Sequence, residues 1–377
     1  MEGFDGSPAP WYKKDMASWL DPEEEVLFFL EREMAGVFAI SEGRLFDGTV
    51  RFQGKLLIDP GQAVAELTQR LAPHGYYPLL RSEEDLTILR TRPVTRLFRT
   101  GPWVNVVLLL TTLVTTVFVG AVNRGVDPFT DPWSLMRGLP FAISLLLILG
   151  VHELGHYFTA RRYGITVTLP YFIPAPVGLG TFGAFIKMKS PVTDRRALFD
   201  VGIAGPLAGL CVALPAIVVG LHWSELITTD STGHVGIALG SPLLFSLLQW
   251  LTLGPIPEGG DVLLHPVAFA GWIGLFVTAL NLLPIGQLDG GHIAYALVGR
   301  HHRKVAIVAL LALCIMGIVY WPGWLFWASL SLILGLRHPP PLDDVTRLDD
   351  RRRLVGLAAL LLLVSVITPS PFNFSES

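Results

Sequence analysis

The chain has 377 residues, of which 51% are hydrophobic and only 16% charged, against roughly 25% charged in an ordinary soluble protein. That balance excludes a single water-soluble globule and points to a polytopic membrane protein. The formal net charge of −3 hides an uneven distribution, and no basic tract marks a nucleic-acid partner.

The first residues, MEGFDGSPAPWYKKDM, lack the apolar core and small-residue cleavage site of a signal peptide, so this end is expected to stay on its side of synthesis. Residues 1–97 then read as a small soluble α+β domain. DPEEEVLFFLEREM (21–34) predicts an amphipathic helix with its acidic residues in the first turn, where the helix dipole favours them. GTVRFQGKLLI predicts a strand, DPGQAVAELTQRLAPHG a helix bounded by proline and glycine, and YYPLLRSEEDLTILRT a hairpin. No catalytic cluster occurs in this part.

The remainder, 98–369, reads as a transmembrane domain followed by a short tail, 370–377. A helix needs about 20 residues to cross the apolar core of a bilayer. Apolar segments predict spans near 102–122, 138–162, 198–222, 265–284, 304–320, 321–336 and 354–368. The fold class expected is therefore a polytopic α-helical membrane protein with about seven transmembrane helices, preceded by the α+β domain. Arg90, Arg92, Arg96 and Arg99 precede the first span, Arg161 and Arg162 end the second, and Lys187, Lys189, Arg195 and Arg196 precede the third. By the positive-inside rule these ends and the N-terminal domain are cytoplasmic, and 223–264, which has no lysine or arginine, is external. A bacterial-type inner membrane is the expected location. SPLLFSLLQWLTLG (241–254) is too short to span comfortably and is assigned to the outer interface or a partial insertion. Cys211 and Cys314 read as small buried hydrophobes, and the tryptophans between Trp321 and Trp327 as an interfacial belt.

Within the second span lies LLLILGVHELGHYFTARR (145–162), with His152, Glu153 and His156 at membrane depth. Ionisable groups there are costly and call for a function and partners. On a helix, His152 and His156 stand on one face, where one metal ion can meet both imidazoles, and Glu153 beside them can take a proton from an attacking water and pass it to a leaving amine. The plain alternative is a pair of interfacial histidines with Glu153 salt-bridged to Arg161 or Arg162. A catalytic zinc takes three protein ligands and keeps one position open. Depth selects a third: His152 lies ten residues, about 15 Å, from Arg162, and Asp289 lies eleven residues before Arg300. Pro284, Gly286, Gly290 and Gly291 predict a broken helix around Asp289, tolerable at that depth where backbone is buried or lines a wet cavity. Asp200 is the rival ligand and His292 a weaker one, better suited to holding another ligand. GIAGPLAGL, with Gly202, Gly205 and Gly209, predicts close helix packing.

Between the second and third spans, TVTLPYFIPAPVGLGTFGAFIKMKS cannot be one helix. It reads either as an ordered loop or as a re-entrant β-like hairpin whose open edge, at Gly180, Thr181, Phe182 and Gly183, binds an extended substrate by strand addition.

Taken together, HELGH, NLLPIGQLDGG (Asn281, Pro284, Leu288, Asp289, Gly290), GTFGAFIKMKSP and ALFDVGIAGPLAGL resemble the core of the site-2 protease family of intramembrane zinc metalloproteases, over about 138–300. The resemblance implies one Zn2+ per chain held by His152, His156 and Asp289, Glu153 as acid/base, and Asn281 in contact with substrate or the reacting carbonyl. The α+β domain before the core is similar to the arrangement in the family's chloroplast and bacterial subgroup, and no segment reads as a PDZ domain. The function implied is hydrolysis of peptide bonds within transmembrane segments of other proteins, with a membrane-protein substrate and the lipid bilayer as partners and the oligomeric state open. A transporter or ion-binding protein using the same His, Glu and Asp is the alternative of a different class, and it lacks the paired broken spans of inverted repeats. A catalytically silent adaptor ranks below both, because every catalytic residue type is present.

Overall fold

The computed structural model describes residues 22–46, 49–90, 101–127, 129, 131–228 and 237–374. The first residues, the arginines at 92, 96 and 99, and the last residues of the tail lie outside them. The chain divides into two compact units, one running to Phe98 and including Pro340–Arg347, the other Arg99–Pro339 with Leu348–Ser377.

The first unit is α+β. Helix α1 (Pro22–Glu33) is followed by strands β1 (Phe38–Phe46) and β2 (Thr49–Leu56), helix α2 (Pro60–Leu71), and strands β3 (Tyr76–Ser82) and β4 (Asp85–Arg90). The four strands form one antiparallel sheet in the order β1-β2-β4-β3. Asp59 caps α2 by accepting from the Gly61 and Gln62 amides, a cap worth about 1 kcal/mol. Ala63, Val64, Leu67 and Leu71 on one face of α2 bury against Leu30, Phe52, Leu80, Leu86 and Ile88. Strand β1, absent from the expected elements, carries Glu42 and Arg44 and a register shift between Ile40 and Glu42, which interrupt the alternation that would announce it. A piece from far along the chain also belongs here. The Leu80 amide donates to Leu342 O (2.8 Å) and the Asp344 amide to Leu80 O (3.1 Å), so residues around Asp343 pair in parallel with β3, and Leu342 enters the core.

The second unit is helical. Its helices are α3 (Pro102–Val122), α4 (Leu139–Arg162), α5 (Arg195–His222), α6 (Leu243–Leu253), α7 (Pro266–Leu282), α8 (Asp289–Val298), α9 (His302–Val319), α10 (Gly323–Leu334) and α11 (Asp350–Val366). Four stretches, 102–122, 132–162, 195–222 and 289–319, are long and apolar enough to cross a membrane, with α6, α7 and α10 as shorter apolar helices. This is a multi-pass membrane protein. A helix occupies each of the seven expected spans, but α10, at 12 residues, is only about 18 Å long.

The ordering principle of this unit is visible in α7. Gly271, Trp272, Ile273, Gly274, Leu275 and Phe276 are buried in succession, so the helix has no outward face and lies inside the bundle. Helices α5 and α7 meet where glycine leaves no side chain in the way: a Cβ on Gly220 would stand 2.1 Å from the Ala268 nitrogen, and one on Gly271 2.5 Å from Ile217 Cγ1. Helices α3 and α9, by contrast, expose Leu110, Val114, Val308, Ile315 and Ile318, as lipid-facing helices do.

Between α4 and α5 the chain forms an antiparallel hairpin, β5 (Tyr171–Pro174) with β6 (Thr181–Phe185). Helix α3 holds it: Asn105 Nδ2 donates to the Leu169 and Pro170 carbonyls, and Thr115 Oγ1 donates to Gly180 O at 2.7 Å. Among the described residues β6 pairs with β5 alone, so its other edge is open.

Two expectations are corrected. Trp324 is no belt residue: it is fully buried, stands 6.1 Å from the Phe276 ring, and donates from Nε1 to Pro369 O. Cys211 is exposed, since it lies on a side of α5 turned away from the neighbouring helices, and Cys314 is half-buried; both are free thiols.

Candidate metal centre

His152 and His156 lie on the same face of α4, both buried. Their Nε2 atoms are 3.1 Å apart, and Asp289 Oδ2 is 3.2 Å from the first and 3.3 Å from the second. Ligand atoms around a tetrahedral zinc with bonds of about 2.0–2.2 Å stand about 3.3–3.6 Å from one another. The triangle therefore has the dimensions of one face of a zinc tetrahedron, and two imidazoles with one carboxylate are a donor set that leaves the fourth corner open. Among the described residues it is the one group of three such side chains whose ligand atoms all lie within 4.8 Å of one another.

Two of the three side chains stand on α4 and the third on α8. His156 Nδ1–H donates to Val201 O on α5 at 2.7 Å, which fixes the tautomer and turns the Nε2 lone pair to the metal position. Pro206, inside α5, has no N–H to give the Gly202 carbonyl, one residue after the Val201 carbonyl that His156 uses.

The glycines of GIAGPLAGL make the room. A Cβ on Gly205 would lie 2.0 Å from His156 Nε2, one on Gly209 3.2 Å from His152 Cβ and Nδ1, and one on Gly202 2.8 Å from His292 Cβ. Close packing was the expectation; what packs closely against these glycines is His152, His156 and His292. Asp289 is the first residue of α8, after a non-helical stretch that follows Leu282, and a carboxylate in a first turn has the helix dipole in its favour. Gly290 and Gly291 allow the fold-back, since a Cβ on them would meet Leu282 O at 2.0 Å and Gly286 O at 2.4 Å.

Glu153 is buried beside the triangle, with the backbone of Ile186, the residue after β6, near its carboxyl. Arg161 instead donates to Tyr157 Oη at 2.9 Å. Asn281, in the last turn of α7, puts its Nδ2 3.2 Å from His152 Nε2. The rival Asp200 is engaged elsewhere: both its oxygens receive Arg352, at 2.8 and 2.6 Å, and Tyr163 Oη donates to it at 2.5 Å. On the hairpin, Gly180 is turned to α3 and Thr181 is buried with its hydroxyl on Ile173 O, whereas Phe182 is 75% exposed. His292 does not touch the triangle's ligand atoms; its Nδ1 lies 2.5 Å from Nε2 of His338, a residue the sequence reading missed. Nothing in the surrounding LRHPPP signals it, because the contact spans two distant parts of the chain.

The segment that carries this geometry has relatives. Residues 140–320 match Peptidase family M50. The chain is 28% identical over 374 residues to probable zinc metalloprotease EGY2, chloroplastic, of Arabidopsis thaliana, covering 93% of this chain and 66% of that protein. It is 27% identical to the EGY2 of Oryza sativa subsp. indica, covering 99% of this chain and 71% of that protein. It is 33% identical over 246 residues to probable zinc metalloprotease EGY1, chloroplastic, of Arabidopsis thaliana, covering 64% of this chain and 44% of that protein. The chain thus spans only part of the length of each. All three carry chloroplastic in their names, which lends nothing to a bacterial inner membrane. No solved structure is a significant match.

Proposed function

We propose that this chain is a zinc-dependent intramembrane endopeptidase, with His152, His156 and Asp289 as metal ligands and Glu153 as the acid/base. The observation that carries the reading is the ligand triangle of zinc dimensions with a carboxyl beside it, on helices apolar enough to cross a membrane. Its relatives' names and the M50 match support the same activity. A zinc ion held there supplies Lewis-acid polarisation and a more acidic water.

The chain's own groups do the rest. Glu153 takes the proton of the attacking water and returns it to the leaving amine, a role worth about 10²–10⁴ in rate. Asn281 Nδ2–H donates to the carbonyl oxygen of the scissile bond as charge develops on it. A helical substrate has its peptide groups hydrogen-bonded internally and must be extended before hydrolysis. The open edge of β6 accepts such a strand, with Phe182 and Gly183 alongside it, and Ile186, the next residue, lies near Glu153. The finer architecture belongs to the proposal: a soluble domain at 1–97 and a protease domain at 98–369, seven crossings, and the N-terminal domain on the cytoplasmic side as the arginine and lysine distribution indicates.

Purified wild type should contain one zinc per chain and cleave a model transmembrane substrate. Glu153→Gln should keep the zinc and lose cleavage. Undiminished cleavage by that variant, or wild type without zinc, would sink the reading.

A further inference from the structure

Beyond the triangle, the second unit holds three more buried histidines together: His292 on α8, His302 at the start of α9, and His338 in the connection after α10. The His338 ring stacks on Tyr295 at 4.9 Å and stands edge-on to His302 at 5.8 Å. These are not a second metal site by geometry. The 2.5 Å between His292 Nδ1 and His338 Nε2 is shorter than the edge of a zinc tetrahedron, about 3.3 Å, and no third donor completes a group of metal-binding size among the described residues.

The hydrogen-bond directions follow from the partners and from the burial of the pair. His338 Nδ1 lies 2.5 Å from Pro339 O, and a carbonyl only accepts, so Nδ1 bears the proton. Burial pushes the His338 imidazole down to about 3, helped by the neighbouring His292; the ring is therefore neutral and its Nε2 accepts. His292 must then donate from Nδ1. His292 stands three residues after Asp289, one turn along the same helix face. On the opposite flank the same turn rests on α5, where a Cβ on Gly202 would meet His292 Cβ at 2.8 Å and Asp289 O at 3.2 Å.

We propose that His338 is a positioning residue for the third zinc ligand: by accepting from His292 it holds the first turn of α8 against α5 and so keeps Asp289 directed at His152 and His156. This turn is the one at risk, since it follows a non-helical stretch and contains Gly290 and Gly291. With His338 in place, Asp289 is ready before metal arrives; without it, the carboxylate is ordered only on binding, and metal affinity falls. Removing partners that orient metal ligands costs about 10–100-fold in affinity.

The inference rests on the zinc reading, and the test separates the two. Zinc affinity of the full-length protein in detergent would be measured by competition with a chromophoric chelator, for wild type, His338→Gln, His338→Asn and His292→Ala. Glutamine carries its amide oxygen to about where Nε2 lies; asparagine has a similar polar group but stops short. The expected result is affinity near that of wild type for His338→Gln and a loss of about tenfold or more for His338→Asn and His292→Ala. The double variant His292→Ala/His338→Asn should lose no more than either alone, because both remove one interaction. Equal affinity of the glutamine and asparagine variants, whether both high or both low, or additive losses in the double variant, would overturn the positioning role. A wild type that binds no zinc would instead overturn the metal reading on which it depends.

Discussion

Gly205 has the most direct claim on the metal among residues that cannot ligate it. A Cβ there would lie 2.0 Å from His156 Nε2, so Gly205→Ala should expel the imidazole and abolish zinc binding, measured by metal analysis, in a protein that still elutes as wild type. Asp289→Ala should likewise lose zinc and activity together, whereas Asp200→Ala should keep its metal and instead release Arg352 and Tyr163. The reverse pattern for the two aspartates would put the third ligand on α5. That His152, Glu153 and His156 share one stretch of helix was legible in their spacing, whereas Asp289 was singled out by depth and by the family resemblance, with Asp200 and His292 left as rivals. Val201, which orients His156, and His338 were not legible, since one acts through a carbonyl every residue possesses and the other through a contact across the fold.

Among the elements, the β5–β6 hairpin is the proposed seat of the substrate strand. Its turn is pinned at Gly180, with φ of +81° and space for a Cβ only 2.5 Å from Thr116 Cα. Gly180→Val should lift the hairpin from α3 and lower kcat/KM by about tenfold or more through backbone strain, while zinc content, read by metal analysis, stays unchanged. A fall in zinc would mean that the hairpin supports the metal site and not the substrate. The hairpin itself was foreshadowed by the prolines and glycines that forbid a helix at 168–183. Strand β1 was hidden by its charges and register shift, and the pairing of the residues around Asp343 with β3 by the length of chain between them, which no local pattern bridges. The long spans read cleanly because apolar length is a one-dimensional property; α10 and α11 blurred because they are short or begin with charged turns.

At the scale of the molecule, the proposed orientation is testable with single cysteines in a chain lacking Cys211 and Cys314. Exposed Ser41 and Glu258 should label from opposite faces of sealed vesicles with an impermeant thiol reagent; labelling from one face would overturn the span count.

The ligand triangle has a consequence for the bundle as a whole. His152 and His156 come from α4 and Asp289 from α8, with α5, α6 and α7 between them in the chain. A metal ion at the centre of the triangle is then a cross-link closing a long loop, and like other such links it disfavours the unravelled chain by curtailing its freedom. The bundle should melt at a temperature that climbs with free zinc and drops after chelation, as mass action requires of any ligand confined to the native state. Glu153→Gln should follow the same curve and Asp289→Ala should ignore zinc altogether, so that a melting experiment without substrate distinguishes the residues that fasten the helices from the one that moves protons.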